Sequence, residues 1–202
     1  MNKYLEQIIR IKLAKMNNEQ ITNENFEKIT ELGLNNVTFS NKPKDIDLSE
    51  IKPFSNLQIL TLQNFQIDDI DLNLLSEFKN LKTLQISSCN ISSNKTHQIP
   101  ALEKLIINTS QFKNFPKIIL PKSVVINGIN RNIDLENLEG IENVENIYLT
   151  NIKKIVNFEI VYQMRLLNIL NIDGSKIDNK KVLENLRENI SVSHKPNSLK
   201  IV

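Results

Sequence analysis

The chain has 202 residues, enough for one domain with a sizeable core. Its 25 basic and 23 acidic side chains nearly cancel, so no bulk charge draws it to nucleic acid or anionic membrane. No apolar run reaches the roughly eighteen residues needed to span a bilayer. The single cysteine, Cys89, excludes an internal disulfide framework and suits a reducing compartment.

At the N-terminus, MNKYLEQIIRIKLAKMNNEQ is interrupted by Arg10, Lys12 and Lys15, so it lacks the apolar stretch of a secretory signal and a cytoplasmic location is expected. Leu5, Ile8, Ile9 and Met16 share one helical face. A second helix is expected after an N-cap at Thr22 or Asn23, with Phe26, Ile29 and Leu32 inward and Gly33 ending it. Residues 1–33 thus read as a helical cap.

From residue 34 one frame recurs. LQILTLQNFQI places Leu57, Leu60, Leu62, Phe65 and Ile67 where LKTLQISSCNI places Leu81, Leu84, Ile86, Cys89 and Ile91. LEKLIINTSQF (with Leu102, Leu105 and Ile107 at the buried positions) and LNILNIDGSKI repeat the frame, and weaker copies begin at Leu34, Pro121 and Val144. Starts at 34, 57, 81, 102, 121, 144 and 167 are spaced by 23, 24, 21, 19, 23 and 23 residues, with a degenerate copy in RENISV. Spacers such as DDIDLNLLSEFKNL and VNFEIVYQMRLL suit short helices, whereas SSNKTHQIPA and KNFPKIIL contain proline and should run extended or as 3₁₀ turns. The repeats occupy 34–177. Residues 178–202 then supply a helix from Lys181 to Glu188, capped by Asp178, a last strand and a loose tail.

The pattern L-x-x-L-x-L-x-x-N/C-x-L at this period resembles the leucine-rich repeat, and FQIDDIDLNLLSEFKNLKTLQISSCNI is similar to the short repeats of internalins and phosphatase regulators. The resemblance implies an α/β solenoid: a curved parallel sheet of seven or eight strands between helical caps. The usual asparagine column is departed from. It holds Phe65, Cys89, Ser110, Ile129, Ile152 and Ser175, of which only the cysteine and the serines can bond the turn backbone. The residues just before it are Asn64, Ser88, Thr109, Gly128, Asn151 and Gly174, all types that tolerate a tight bend.

Strand side chains alternate between faces, so each inward pair implies an outward set on the concave side. The first repeat would contribute Asn36, Thr38 and Ser40, and the last Asn189, Ser191 and Ser193. The central column then reads Thr38, Thr61, Gln85, Ile106, Val125, Tyr148, Asn171 and Ser191. Of twenty-four outward positions only Lys104 and Asp173 are charged, where the chain-wide 24% would give about six. Interface centres are depleted of charge in this way. Ile106, Val125 and Tyr148, with Ile169 alongside, are the candidate anchors for a partner; Gln85, Lys104, Asn108, Asn146, Asn171 and Asp173 are the candidate polar rim. Two plainer explanations exist. Exposed β-branched and aromatic residues also pack across strands with no partner, and a one-residue slip in the fifth repeat would turn Val124 outward in place of Val125.

Catalytic signatures are lacking. Four glycines form no phosphate loop, and His97 and His194, without companion ligands, are expected in exposed loops. Cys89 is expected to be a buried structural thiol, and Asp68, Asp69 and Asp71 to cap a helix or stay solvated. The expectation is a monomeric, non-enzymatic protein that binds a protein partner through its concave face, with no cofactor, metal or nucleic acid. An inhibitor of a cognate toxin or enzyme and a component of a larger assembly are the alternatives.

Overall fold

The computed structural model describes residues 3–36, 44–45, 47–112 and 115–195. Eight strands form one parallel front sheet in chain order: β1 (Glu31–Asn35), β2 (Ile59–Gln63), β3 (Thr83–Ser87), β4 (Lys104–Asn108), β5 (Ser123–Asn127), β6 (Asn146–Thr150), β7 (Ile169–Asn171) and β8 (Ser191–Ser193). Period-two alternation sets the burial. Leu60, Leu84, Leu105, Val124, Ile147 and Leu170 form one fully buried row, and Leu62, Ile86, Ile107, Ile126, Leu149 and Ile172 a second. Each buried aliphatic side chain is worth about 1.5–3 kcal/mol relative to exposure, and the rows merge into one core running through every repeat.

Each strand from β2 to β7 ends in a bend at a residue of positive φ: Asn64 (62°), Ser88 (52°), Thr109 (46°), Gly128 (69°), Asn151 (54°) and Gly174 (71°). These are the six turn-tolerant positions of the sequence. The bend turns the chain behind the sheet, where Lys44–Asp45, Phe65–Ile67, Asn90–Ile91 and Gln111–Phe112 pair as a second parallel sheet, and Asn132–Asp134 pairs with Lys154–Val156. This back layer was not legible in the sequence. Between its two parts, an Arg131 guanidinium N–H donates to the Phe112 carbonyl at 2.7 Å.

The column behind the bend is buried throughout. Ser110 Oγ accepts from the Cys89 N–H (3.2 Å), Ser175 Oγ accepts from the Ile152 N–H (2.9 Å), and the Phe65 N–H points at Cys89 Sγ (3.4 Å). Both hydroxyls also donate to strand carbonyls, Ser110 to Asn108 (3.0 Å) and Ser175 to Leu149 (2.6 Å). The serines and the cysteine therefore do an asparagine's work, and they do it between repeats.

Helix α1 (Lys3–Lys12) covers the front end with Leu5 and Ile9, and α2 (Asn23–Glu27) follows an N-cap at Thr22, whose N–H donates to Asn25 Oδ1 at 2.9 Å. The expected face of α1 is too long: the helix ends at Lys12 and Met16 is 73% exposed. The expected helical run to Gly33 is also corrected. Leu32 and Leu34 alternate as strand residues, in register with Leu60 and Leu62, and Gly33 sits mid-strand opposite Thr61. The first outward set is therefore Glu31, Gly33 and Asn35, not Asn36, Thr38 and Ser40, of which Thr38 and Ser40 lie outside the described residues. The first strand begins at Glu31, three residues before the expected start of the repeats.

Helix α3 (Asp69–Leu75) fills the longer spacer as expected, with Leu72 and Leu75 buried. Its counterpart after β6 is a 3₁₀ helix, Phe158–Gln163. Asp178 does not cap α4 (Lys181–Glu184); its carboxylate receives the N–H groups of Asn157 (2.7 Å) and Phe158 (3.2 Å) at the start of that 3₁₀ turn. The last strand is shifted by two residues, since Ser191 and Ser193 pair with Ile169 and Asn171. The central column thus ends in Ser193. Leu102, expected to be buried, is half-buried.

Gly128 has φ +69°, and a Cβ there would lie 3.0 Å from Thr109 Cγ2. Gly128→Ala should therefore destabilise by about 1–2 kcal/mol, the cost of placing an L side chain in the left-handed region. Asn64→Gly should be close to neutral by the same reasoning. Urea denaturation of both variants checks the pair.

Candidate functional site

The strand register determines what the open face of the front sheet presents. Ile106 is paired with Gln85 on one side and Val125 on the other, and Val125 with Tyr148. All three candidate anchors are half-buried and keep an exposed side. The fifth repeat is in the expected frame, with Val124 inside and Val125 outside. Ile169 sits beside this row, opposite Asn146, and Ile59 lies apart in β2.

Correcting both ends adds Glu31 and Lys195 to the outward set, so four of its members are charged. Three lie at the ends of the array; across the fifteen outward positions of β2 to β6 only Lys104 carries charge.

The expected rim divides by whether its side chains are already engaged. The Asp173 carboxylate accepts the Ser193 hydroxyl proton between its two oxygens (both 2.9 Å from Oγ) and the Lys195 N–H (2.6 Å). The Lys195 amide above all, with the Ser193 hydroxyl, holds its carboxyl below the usual carboxylate range. Asn171 Oδ1 accepts the Asp173 N–H at 2.9 Å, and Gln85 Nε2 donates to Ser87 Oγ at 3.4 Å. Asp173 thus ties β7 to β8, while Asn171 and Gln85 bond along their own strands. The side chains of Lys104, Asn108 and Asn146 make no hydrogen bond or ion pair among the described residues. Glu103, the residue before Lys104, pairs with Lys82 (3.4 Å), and Glu145, the residue before Asn146, pairs with Lys122 (2.9 Å).

The residues with chemical potential elsewhere are structural. Cys89 is buried, and burial pushes its thiol pKa up, away from the reactive thiolate. Asp68 caps α3 by accepting from the N–H groups of Ile70 (2.7 Å) and Asp71 (3.1 Å), and Asp71 returns the bond to the Asp68 N–H (3.1 Å). Asp69 reaches into the next repeat. It accepts from Ser93 Oγ (2.7 Å), the N–H groups of Asn94 and Lys95 (both 3.2 Å) and His97 Nε2 (2.9 Å). His97 is thereby only 5% exposed, against the expectation of an exposed loop residue. Its backbone also pairs, the N–H donating to the Lys117 carbonyl at 2.6 Å. Among the described residues, no group of three His, Cys, Asp or Glu side chains could hold a metal ion, and no helix is long and apolar enough to cross a membrane.

The His97 hydrogen bond, then that of Ser93, holds the Asp69 carboxyl far below its ordinary value. A depressed folded-state pKa contributes stability above the unfolded pKa near 4, and the contribution fades as pH falls through the folded value. Asp69→Asn should therefore lower Tm at pH 7, and the gap from the parent protein should narrow below about pH 4. Thermal scans over a pH series check the direction.

No protein-family model and no curated protein matches the sequence. Among solved structures, internalin C2 of Listeria monocytogenes aligns over 96% of this chain and 93% of its own, at 16% identity and a TM-score of 0.60. A second internalin of the same organism, InlF, aligns over 96% of this chain and 75% of its own at 17% identity, with a TM-score of 0.36. The first alignment runs nearly end to end over a chain whose repeat frame and parallel register are those of a solenoid. The chain therefore has the leucine-rich-repeat fold, in the form that internalin C2 shares.

Proposed function

We propose that this chain is a non-catalytic module that binds a protein through the open face of its front sheet, with Ile106, Val125 and Tyr148 as anchors. One observation carries the reading: three apolar side chains stand in direct register on adjacent strands, partly exposed, in a face whose central strands hold one charge. Desolvating such a row supplies affinity, and polar groups around it supply discrimination. Lys104, Asn108 and Asn146 are the rim residues whose side chains are unengaged within the described chain; Gln85, Asn171 and Asp173 act mainly by holding the face in shape. The protein works as a monomer on this reading, in a reducing compartment that suits one buried thiol.

Ile106→Asp and Tyr148→Asp should each abolish capture of the native partner while Tm stays within a few degrees of the parent. Leu105→Ala, at a fully buried position, should lower stability by about 2–5 kcal/mol and leave capture intact under conditions where the variant is folded. Affinity capture from the source cell, run beside differential scanning calorimetry, separates the two. Unfolding by the surface variants, or undiminished capture, would refute the assignment of this face.

A further inference from the structure

Resting on the binding-face reading above, we infer that the partner presents an amphipathic α-helix, laid across β4 to β7 with an acidic side chain over Lys104. The open face of a sheet offers side chains only, since its backbone N–H and C=O groups are spent within the ladder. An extended segment laid on this face would bury main-chain polar groups without partners, each costing on the order of 1–3 kcal/mol. A helix satisfies its own backbone and can bring an apolar stripe against the row.

Spacing selects the same occupant. Ile106, Val125 and Tyr148 lie on successive strands about 4.8 Å apart, so the row covers about 10 Å. Helix residues i, i+4 and i+7 span about 10.5 Å at 1.5 Å per residue. Three alternate residues of an extended chain span about 13 Å, which overshoots the row by most of a strand spacing. Ile169, one position over on β7, then meets the next helical turn.

Charge sets the orientation. Lys104 lies two residues before Ile106 on the same strand and is exposed, and the carboxylates at Glu103 and Glu145 already face Lys82 and Lys122. An Asp or Glu beside the helix residue that covers Ile106 would give it a counter-charge. At the far end, Asp173 is held by Ser193 and Lys195.

The test uses the full chain as bait against two display libraries, one randomised on the outer face of a helical scaffold and the other on an extended hairpin. Expected binders come from the helical library, with apolar residues at i, i+4 and i+7 and an acidic neighbour, and lose binding to Ile106→Asp and Tyr148→Asp. Lys104→Glu should weaken them by about fivefold, and replacing their acidic residue with lysine should restore binding to that variant. Lys153→Glu, exposed immediately before the back strand Lys154–Val156, should change nothing. Binders drawn only from the extended library, or helical binders indifferent to Lys104→Glu, would overturn the helix inference while leaving the face assignment standing. Binders from either library that are indifferent to both Ile106→Asp and Tyr148→Asp would overturn both.

Discussion

The structure depends on a bend that no single repeat can complete. At each strand end the chain enters the left-handed region, and the bending residue's amide is directed to the next repeat. The N–H of Asn64 donates to the Ser87 carbonyl, that of Ser88 to Asn108, of Thr109 to Asn127, of Gly128 to Thr150, of Asn151 to Asp173, and of Gly174 to Lys195. Backbone amides are obligatory donors, and each bend finds its acceptor in its successor. The column behind the bend follows the same logic. Phe65 and Ile152 can be apolar because Cys89 and Ser175, one repeat on, receive their amides.

This arrangement explains what could be read from the residues. In the middle repeats, L-x-x-L-x-L defines both strand faces, and the turn-tolerant residue after each strand marks the bend, so Ile106, Val125 and Tyr148 align from the sequence alone. At the front, Phe26, Ile29 and Leu32 have helical spacing while Leu32 and Leu34 have strand spacing. The two patterns overlap at Leu32, and pairing with Leu60 decides in favour of the strand. At the back, a two-residue slip leaves the in–out alternation unchanged, so RENISV could not reveal that Ser193, rather than Ser191, faces Asn171. Asp69 and His97 were each visible but not as a pair, because they meet across a repeat boundary that has no sequence periodicity of its own.

The same register that builds the core determines the open face. Its apolar row is continuous because three neighbouring repeats carry Ile106, Val125 and Tyr148 at one strand position, not because the sheet is apolar overall. Much of the surrounding polarity is committed internally: Asn127 Oδ1 receives Thr150 Oγ1 and Asn151 Nδ2, both at 2.9 Å, and Asp173 fastens the final turn. These internal bonds hold part of the face in a defined shape and leave Lys104, Asn108 and Asn146 unengaged among the described residues.

The forward direction of the bend amides gives the molecule a polarity that bears on its biosynthesis. A ribosome delivers the chain from the front, so each newly emerged loop waits for about one repeat length, some twenty residues, before its acceptor exists. A bend can therefore be completed no earlier than the module that follows it. A chain cut short after any repeat lacks the acceptor for its last bend, whereas every earlier bend still has its acceptor within the chain.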